Sequence, residues 1–150
     1  MVSNLSLNQF APNTPLDGMY VYMANEGQLH NVIVGAGQEL KSGDVVKLDA
    51  ASTNVHAPVV LAAAAGDAAF GIVSYTPVQA KHTAGMRVGL ARTNDVIWKT
   101  ANSAIAVGDK VAFDGDFKVE TTSGDAIGTA LTPATADGDL IQVELNFAGK

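Results

Sequence analysis

Apolar and polar residues alternate in short runs along this chain, and a two-residue period is typical of β-strands with one buried face. Residues 19–23 alternate methionine or valine with tyrosine, and residues 141–147 carry an apolar residue at every second position. Residues 59–65 also fit a short helix, but the flanking valines and glycine favour a strand. No helix is predicted elsewhere, so the chain is predicted to be all-β. Further strands are predicted at 29–34, 59–65, 70–74, 86–91, 96–100, 111–113 and 117–119.

A nine-residue pattern, apolar-x-x-Gly-Asp-x-Val-x-apolar, occurs at residues 40–48 and again at 105–113. Its Gly-Asp pairs, Gly43-Asp44 and Gly108-Asp109, predict tight turns. Glycine readily adopts positive φ, and an aspartate can hydrogen-bond the backbone just beyond it. The alternating residues that follow each turn predict a strand.

The two halves remain alike downstream of these turns. FGIVSYTP at 70–77 is echoed by IGTALTP at 127–133, and each is followed by a turn and a closing strand, at 84–90 and 138–145. We therefore predict two similar β modules, about 40–91 and 105–147, related by an internal duplication. The closing turns are expected to differ, because Gly138-Asp139 has no matching Gly-Asp pair in the first module.

Composition limits the class of protein. The 150 residues are predicted to form one β domain, 19–150, preceded by an extended arm, 1–18. Only 16% of residues are charged, against about a quarter in typical domains, and 47% are apolar. A weakly charged surface indicates that much of the exterior contacts other protein.

The predicted arm contains Leu5, Leu7 and Phe10 among small polar residues, with prolines that exclude a continuous helix. One interpretation is a frayed terminus. The other is an arm that lies over a neighbouring subunit or partner, anchored by these three side chains, because a solvated tail usually carries more charge.

Charge and cysteine content exclude several functions. The net charge of −6 would repel phosphate backbones, so nucleic-acid binding is not expected. The absence of cysteine removes disulfides and thiolate chemistry. We expect neither a signal peptide nor a membrane span.

No arrangement of residues predicts catalysis, a metal site or a cofactor. His30, His56 and His82 lack metal-ligand spacing and are expected in surface or turn positions. The Asp-Gly-Asp stretches at 114–116 and 137–139 lack the spacing of a calcium loop and predict turns. A lipoyl-type carrier is not favoured, because Lys47 and Lys110 fall at or inside predicted strands.

Three aromatic residues are candidate interface anchors: Tyr20, Tyr22 and Trp98. Core or cross-strand packing is the other interpretation for each of them. Tryptophan and tyrosine are enriched at binding hot spots, so exposure of these side chains would favour a contact surface.

The repeated Gly-Asp turn, the FGIVSYTP sequence and the closing GDLIQVEL at 138–145 together resemble capsid decoration, or cement, proteins of tailed phages. The resemblance covers roughly 30–147, and the order of these sequences is more specific than any one of them. It implies a compact antiparallel β barrel or β-tulip with an extended N-terminal arm. The turns expected in that fold include Gly43-Asp44, Gly108-Asp109 and Gly138-Asp139.

The resemblance also implies a function. Such a protein binds the outside of an expanded capsid, bridges capsomers of the major capsid protein and resists the pressure of packaged DNA. A homotrimer is favoured and a homodimer is the alternative. The protein would be made in the host cytoplasm and become part of the virion exterior. The alternatives are a tail or fibre component, or a carbohydrate-binding display domain.

Overall fold

The computed structural model describes residues 15–24, 32–77 and 79–147. All the regular secondary structure in these ranges is β-strand, which confirms the all-β prediction, and no helix in them could cross a membrane. The strands form two six-stranded sheets and one two-stranded sheet. In chain order they are β1 (Tyr20–Tyr22), β2 (Val32–Val34), β3 (Glu39–Leu40), β4 (Val45–Leu48), β5 (Val59–Ala62), β6 (Gly71–Val73), β7 (His82–Thr83), β8 (Arg87–Val88), β9 (Leu90–Ala91), β10 (Val96–Thr100), β11 (Lys110–Phe113), β12 (Val119–Thr121), β13 (Gly128–Ala130) and β14 (Leu140–Leu145).

Most predicted strands lie where the alternation placed them, and residues 59–62 form a strand rather than a helix. The exception is the strand predicted at 117–119, which begins only at Val119. Phe117 has φ 62° and closes the turn that starts at Asp114, whose carboxylate accepts hydrogen bonds from the Asp116 and Lys118 N–H groups. These hydrogen bonds keep residues 117 and 118 in the turn, so the strand begins two residues later than predicted.

The first module closes into a small barrel. Its strands pair in the order β2–β5–β4–β6–β9, and β8, which precedes β9 by one residue, pairs back onto β2. We call this the first barrel. The pair β2–β5 is parallel, whereas the resemblance implied antiparallel strands. The other strand pairs of this barrel are antiparallel.

The second module repeats this arrangement. Its strands pair in the order β10–β14–β13–β11–β12, and Ala101, directly after β10, forms a parallel bridge to Val119 of β12. This bridge joins β12 to the residue that follows β10, so the sheet closes on itself. We call it the second barrel. The register also matches, because Val46 pairs with Gly71 and Val111 pairs with Gly128.

The similarity of the two barrels begins one strand earlier than the predicted modules. Val34 N–H donates to the Met86 carbonyl at 2.9 Å, and Ala101 N–H donates to the Asp139 carbonyl at 2.8 Å. Strand β2, which contains Val34, and the residue directly after β10 therefore occupy the same place. Their sequences share no pattern, so only the hydrogen bonds relate them.

The Gly-Asp turns use their aspartates in a different direction from the predicted one. Asp44 Oδ2 accepts the N–H of Lys41, and Asp109 Oδ2 accepts the N–H of Ala106, both at 2.9 Å. Each carboxylate thus bonds three residues back rather than just beyond the turn. Gly43 and Gly108 both have φ +90°, a conformation that glycine adopts without strain.

The closing turns prove equivalent in backbone, contrary to expectation. Met86 N–H donates to the Thr83 carbonyl, Asp139 N–H donates to the Ala136 carbonyl, and the glycine before each donor has positive φ. The side chains differ in their chemistry. Asp139 Oδ2 accepts backbone N–H groups in the second barrel, whereas the Met86 sulfur lies 3.3 Å from the Thr83 nitrogen in the first. The predicted Gly138-Asp139 turn is thus present.

Neighbouring residues of β4, β6 and β9 in the first barrel are buried in two different clusters. Val46, Val73 and Leu90 lie in its interior cluster, while their neighbours Val45, Ile72 and Ala91 belong to the cluster that forms the core of the second barrel. The positions equivalent to these neighbours in the second barrel are Lys110, Thr129 and Glu144, and they are polar. The Lys110 ammonium donates to the Thr129 hydroxyl at 2.8 Å on an exposed face. The two barrels therefore use corresponding faces differently.

We predict that Gly128→Ala destabilises the fold, because Gly128 leaves no room for a side chain. A Cβ there would lie 2.8 Å from Val143 Cγ1 and would also overlap the Glu144 carbonyl. Overpacking of this kind costs about 1–3 kcal/mol of unfolding free energy, measurable by chemical denaturation. The control is Gly115→Ala, because nothing lies within 4 Å of a Cβ at that turn. Equal stability of the two variants would contradict the close packing.

Candidate functional site

A buried ion pair attaches the residues before β1 to the two barrels. Lys99 Nζ lies 2.9 Å from Asp17 Oδ2 and donates to the Gly43 carbonyl at 2.6 Å. The Lys99 side chain is 0% exposed, and that of Asp17 is 30% exposed. Asp17 Oδ1 also accepts the Thr100 N–H at 2.8 Å. We call Asp17, Gly18, Gly43 and Lys99 the N-terminal latch.

The latch depends on two glycines in close contact. Gly18 and Gly43 have φ +86° and +90°, and a Cβ at Gly18 would lie 2.6 Å from the Gly43 nitrogen. A Cβ at Gly43 would overlap the Asp17 carboxylate. Gly18 N–H donates to the Trp98 carbonyl, and Tyr75 N–H donates to the Gly18 carbonyl. Asp17 and Gly18, although within the predicted arm 1–18, are thus bonded to both barrels.

Asp44 lies beside the latch in the first Gly-Asp turn. The pKa of its carboxyl is raised, chiefly because the group is buried, and the nearby charge of Asp17 acts in the same direction. The Lys41 N–H and the charges of Lys41 and Lys99 oppose this rise. Its role is local, because its carboxylate accepts the Lys41 N–H and closes the turn that supplies the Gly43 carbonyl to Lys99.

The three candidate aromatics do not share one surface. Tyr20 pairs with Ile97 and packs against the core, but a bulge in β1 shifts the register so that Tyr22 pairs with Val96. Paired residues share a face, so Tyr22 lies on the face of Val96 and Trp98, opposite to Tyr20. Tyr22 is 62% exposed, whereas Trp98 is half-buried.

Four exposed apolar side chains lie close in sequence on the two sides of Asp17 and Gly18. Leu16, Val21, Tyr22 and Met23 are each at least 40% exposed, and we call them the apolar strip. Among the described strands, β1 pairs only with β10 and stands last in its sheet.

Other candidate residues have structural roles. His82 is buried in β7 rather than in a surface or turn position, because β7 pairs with β3. Lys47 lies inside β4, paired with Asp67 at 2.8 Å, and Lys110 begins β11, so neither occupies the hairpin tip that a carrier domain needs. No cluster of three potential metal ligands occurs in the ranges 15–24, 32–77 and 79–147. Leu5, Leu7, Phe10 and His30 lie outside the described residues.

Exposed apolar side chains grouped in one region of the surface are typical of a site that binds another protein. The family model for phage cement proteins matches residues 24–145, and the chain belongs to this family. It is therefore a structural protein of the phage capsid.

The fold is also similar to a solved structure, the N base of the head fiber gp8.5 in bacteriophage phi29. The TM-score is 0.55 at 16% sequence identity, over 76% of this chain and 91% of that one. At this identity the similarity concerns the fold. No curated protein matches the chain.

We predict that Asp17→Asn lowers the unfolding free energy by about 2–4 kcal/mol, because it leaves the buried Lys99 ammonium without its counter-charge. Adding Lys99→Met should recover part of this loss, since no charge is then buried. Chemical denaturation of the single and double variants measures both effects.

The control for the latch is Asp137→Asn, which breaks the exposed Lys118–Asp137 pair of the same 2.9 Å length. We expect a much smaller loss there, because water and salt screen exposed charges. A similar loss at both pairs would contradict a special role for the buried one.

We predict that His82 makes stability depend on pH. Burial lowers the pKa of its imidazole below the usual value of 6.5. The unfolded chain therefore binds a proton near pH 6.5 that the folded chain binds only at lower pH, so stability falls as pH falls through this window. His82→Gln should remove that part of the pH dependence, whereas His56→Gln, at an exposed position, should retain it. Parallel pH profiles for wild type and His82→Gln would show that His82 is not responsible.

Proposed function

We propose that this protein decorates the outer surface of the expanded phage capsid, bridges neighbouring capsomers of the major capsid protein and stabilises the shell against packaged-DNA pressure. The observation that carries the proposal is the apolar strip on and beside β1, in a chain of the phage cement family. The protein is then made in the host cytoplasm and acts on the virion exterior.

The apolar strip is suited to binding a large, ordered surface. Tyr22 and Met23 supply exposed apolar contact area, and aromatic side chains are enriched among the residues that dominate binding. The latch fixes the backbone just before β1, so less conformational freedom is lost on binding.

Bridging explains how a modest contact can stabilise a shell. An interface of about 800 Å² per partner can be weak, but an oligomer that engages several capsomers gains affinity through effective concentration. We favour a homotrimer, with a homodimer as the alternative. The net charge of −6 disfavours attachment to the packaged DNA.

A fibre or tail component is the second candidate, and the fold similarity to a phage head-fiber base favours it. A carbohydrate-binding display domain has less support, because Tyr20 packs against the core and cannot form one platform with Tyr22 and Trp98. Binding to isolated expanded shells separates the decoration role from the fibre and tail roles.

We predict that the purified protein cosediments with emptied, expanded shells and not with precursor shells, and that Tyr22→Ala weakens this binding about 30-fold. Loss of a central aromatic anchor typically costs about 2 kcal/mol or more of binding free energy, which corresponds to that factor. Bound protein should also raise the temperature at which the shells lose their integrity.

The control is Val55→Ser, which removes another exposed apolar side chain, 85% exposed in the loop between β4 and β5. It should bind like wild type. A folded wild-type protein that ignores expanded shells would refute the decoration role, and unchanged binding by Tyr22→Ala would move the contact away from the apolar strip.

A further inference from the structure

The two barrels have equivalent ends that differ in what covers them. At the first-barrel end, Gly43 N–H donates to the Val73 carbonyl, and the turn of Asp17 and Gly18 lies directly over it. The N–H of Tyr75, two residues after Val73, donates to the Gly18 carbonyl at 3.0 Å. The chain's own N-terminal segment therefore closes this end.

The corresponding end of the second barrel has the same backbone. Gly108 N–H donates to the Ala130 carbonyl at 2.8 Å, as Gly43 N–H does to Val73, and Thr132 occupies the position of Tyr75. Nothing lies within 4 Å of a Cβ placed at Gly108, whereas the Asp17 side chain fills that space at Gly43. The Thr132 N–H has no hydrogen-bond partner in the described part of the chain.

The side chains at the two ends have opposite polarity. The covered first-barrel end carries Ser42 and Ser74, and the second-barrel end carries Val107 and Leu131 at the same positions. Val107 is 63% exposed and Leu131 is 40% exposed. Apolar side chains at an open end, where the covered end has serines, indicate that the open end is covered in an assembly.

We propose that the second-barrel end, formed by Val107, Gly108, Leu131 and Thr132, binds residues 1–14 of a second copy of this chain. The equivalent end of the first barrel binds Asp17 and Gly18, which follow that segment in sequence. The backbone geometry that accepts Asp17 and Gly18 is therefore present twice in each chain, and among the described residues nothing covers the second of the two ends.

The composition of residues 1–14 fits this end. The segment contains Leu5, Leu7 and Phe10 and no charged side chain, so its transfer onto Val107 and Leu131 removes apolar surface from water without desolvating a charge. Its carbonyl groups can accept the Thr132 N–H. Fully extended, 14 residues span about 46 Å, which is long enough to reach a neighbouring molecule.

This contact joins copies of the chain to each other and does not rest on capsid binding. The test is therefore made without shells, on the full-length protein. Sedimentation velocity over a range of concentrations should give a wild-type mass that rises above that of one chain. A Val107→Ser/Leu131→Ser variant gives the second-barrel end the two serines found at the first-barrel end. Association between copies of this variant should be at least about tenfold weaker than in the wild type.

A second variant, Leu5→Ser/Leu7→Ser/Phe10→Ser, should weaken association to a similar extent, because it alters the other side of the same contact. Val55→Ser is the matched control and should associate like wild type. Thermal unfolding of each variant verifies that the body remains folded. The serine pair at the second-barrel end is expected to fold, since the same residues serve the same positions in the first barrel.

Mixing the two variants separates contact between copies from contact within one chain. One variant keeps its N-terminal segment and the other keeps its second-barrel end, so the mixture should form a complex of two chains that neither forms alone. Three results would overturn the proposal: a wild-type mass of one chain at all concentrations, undiminished association of either variant, or no complex in the mixture.

Discussion

The ammonium group of Lys99 has no exposed surface, and the position of Asp17 and Gly18 follows from how its charge is neutralised. Asp17 supplies the counter-charge and Gly43 supplies a carbonyl, so one buried group joins the N-terminal segment, the first barrel and the second barrel. An unpaired buried charge would be costly, so these three parts are held in one arrangement. β1 follows directly, and the exposure of the apolar strip depends on it.

Two barrels with the same strand pairing have acquired different surfaces. The outward face of β4, β6 and β9 is apolar and packs into the core shared with the second barrel, whereas the same face of the second barrel carries Lys110, Thr129 and Glu144. If the second barrel also carried an apolar face at these positions, each chain would expose a patch on which a further chain could stack, and such a series would not close. The polar face of the second barrel offers no such patch at these positions.

Within this framework the proposed contacts lie in separate places. The apolar strip lies on and beside β1, and the second-barrel end lies beside the turn at Gly108. A protein that binds a lattice with one surface and a neighbouring copy with another can distribute strain over many weak contacts. Neither surface requires a chemical step, only shape, apolar area and a backbone kept in position.

Local chemistry made the all-β class, the Gly-Asp turns and strands such as β10 predictable, because side-chain alternation and positive-φ glycines act over a few neighbouring residues. Contacts between distant residues decided the rest. The parallel pairing of β2 with β5, the burial of Lys99 and His82, and the bulge that separates Tyr20 from Tyr22 each depend on a partner far away in sequence. The sequence alone therefore determined which segments become strands and turns. Tertiary structure decided which faces are buried, because burial depends on what each strand meets.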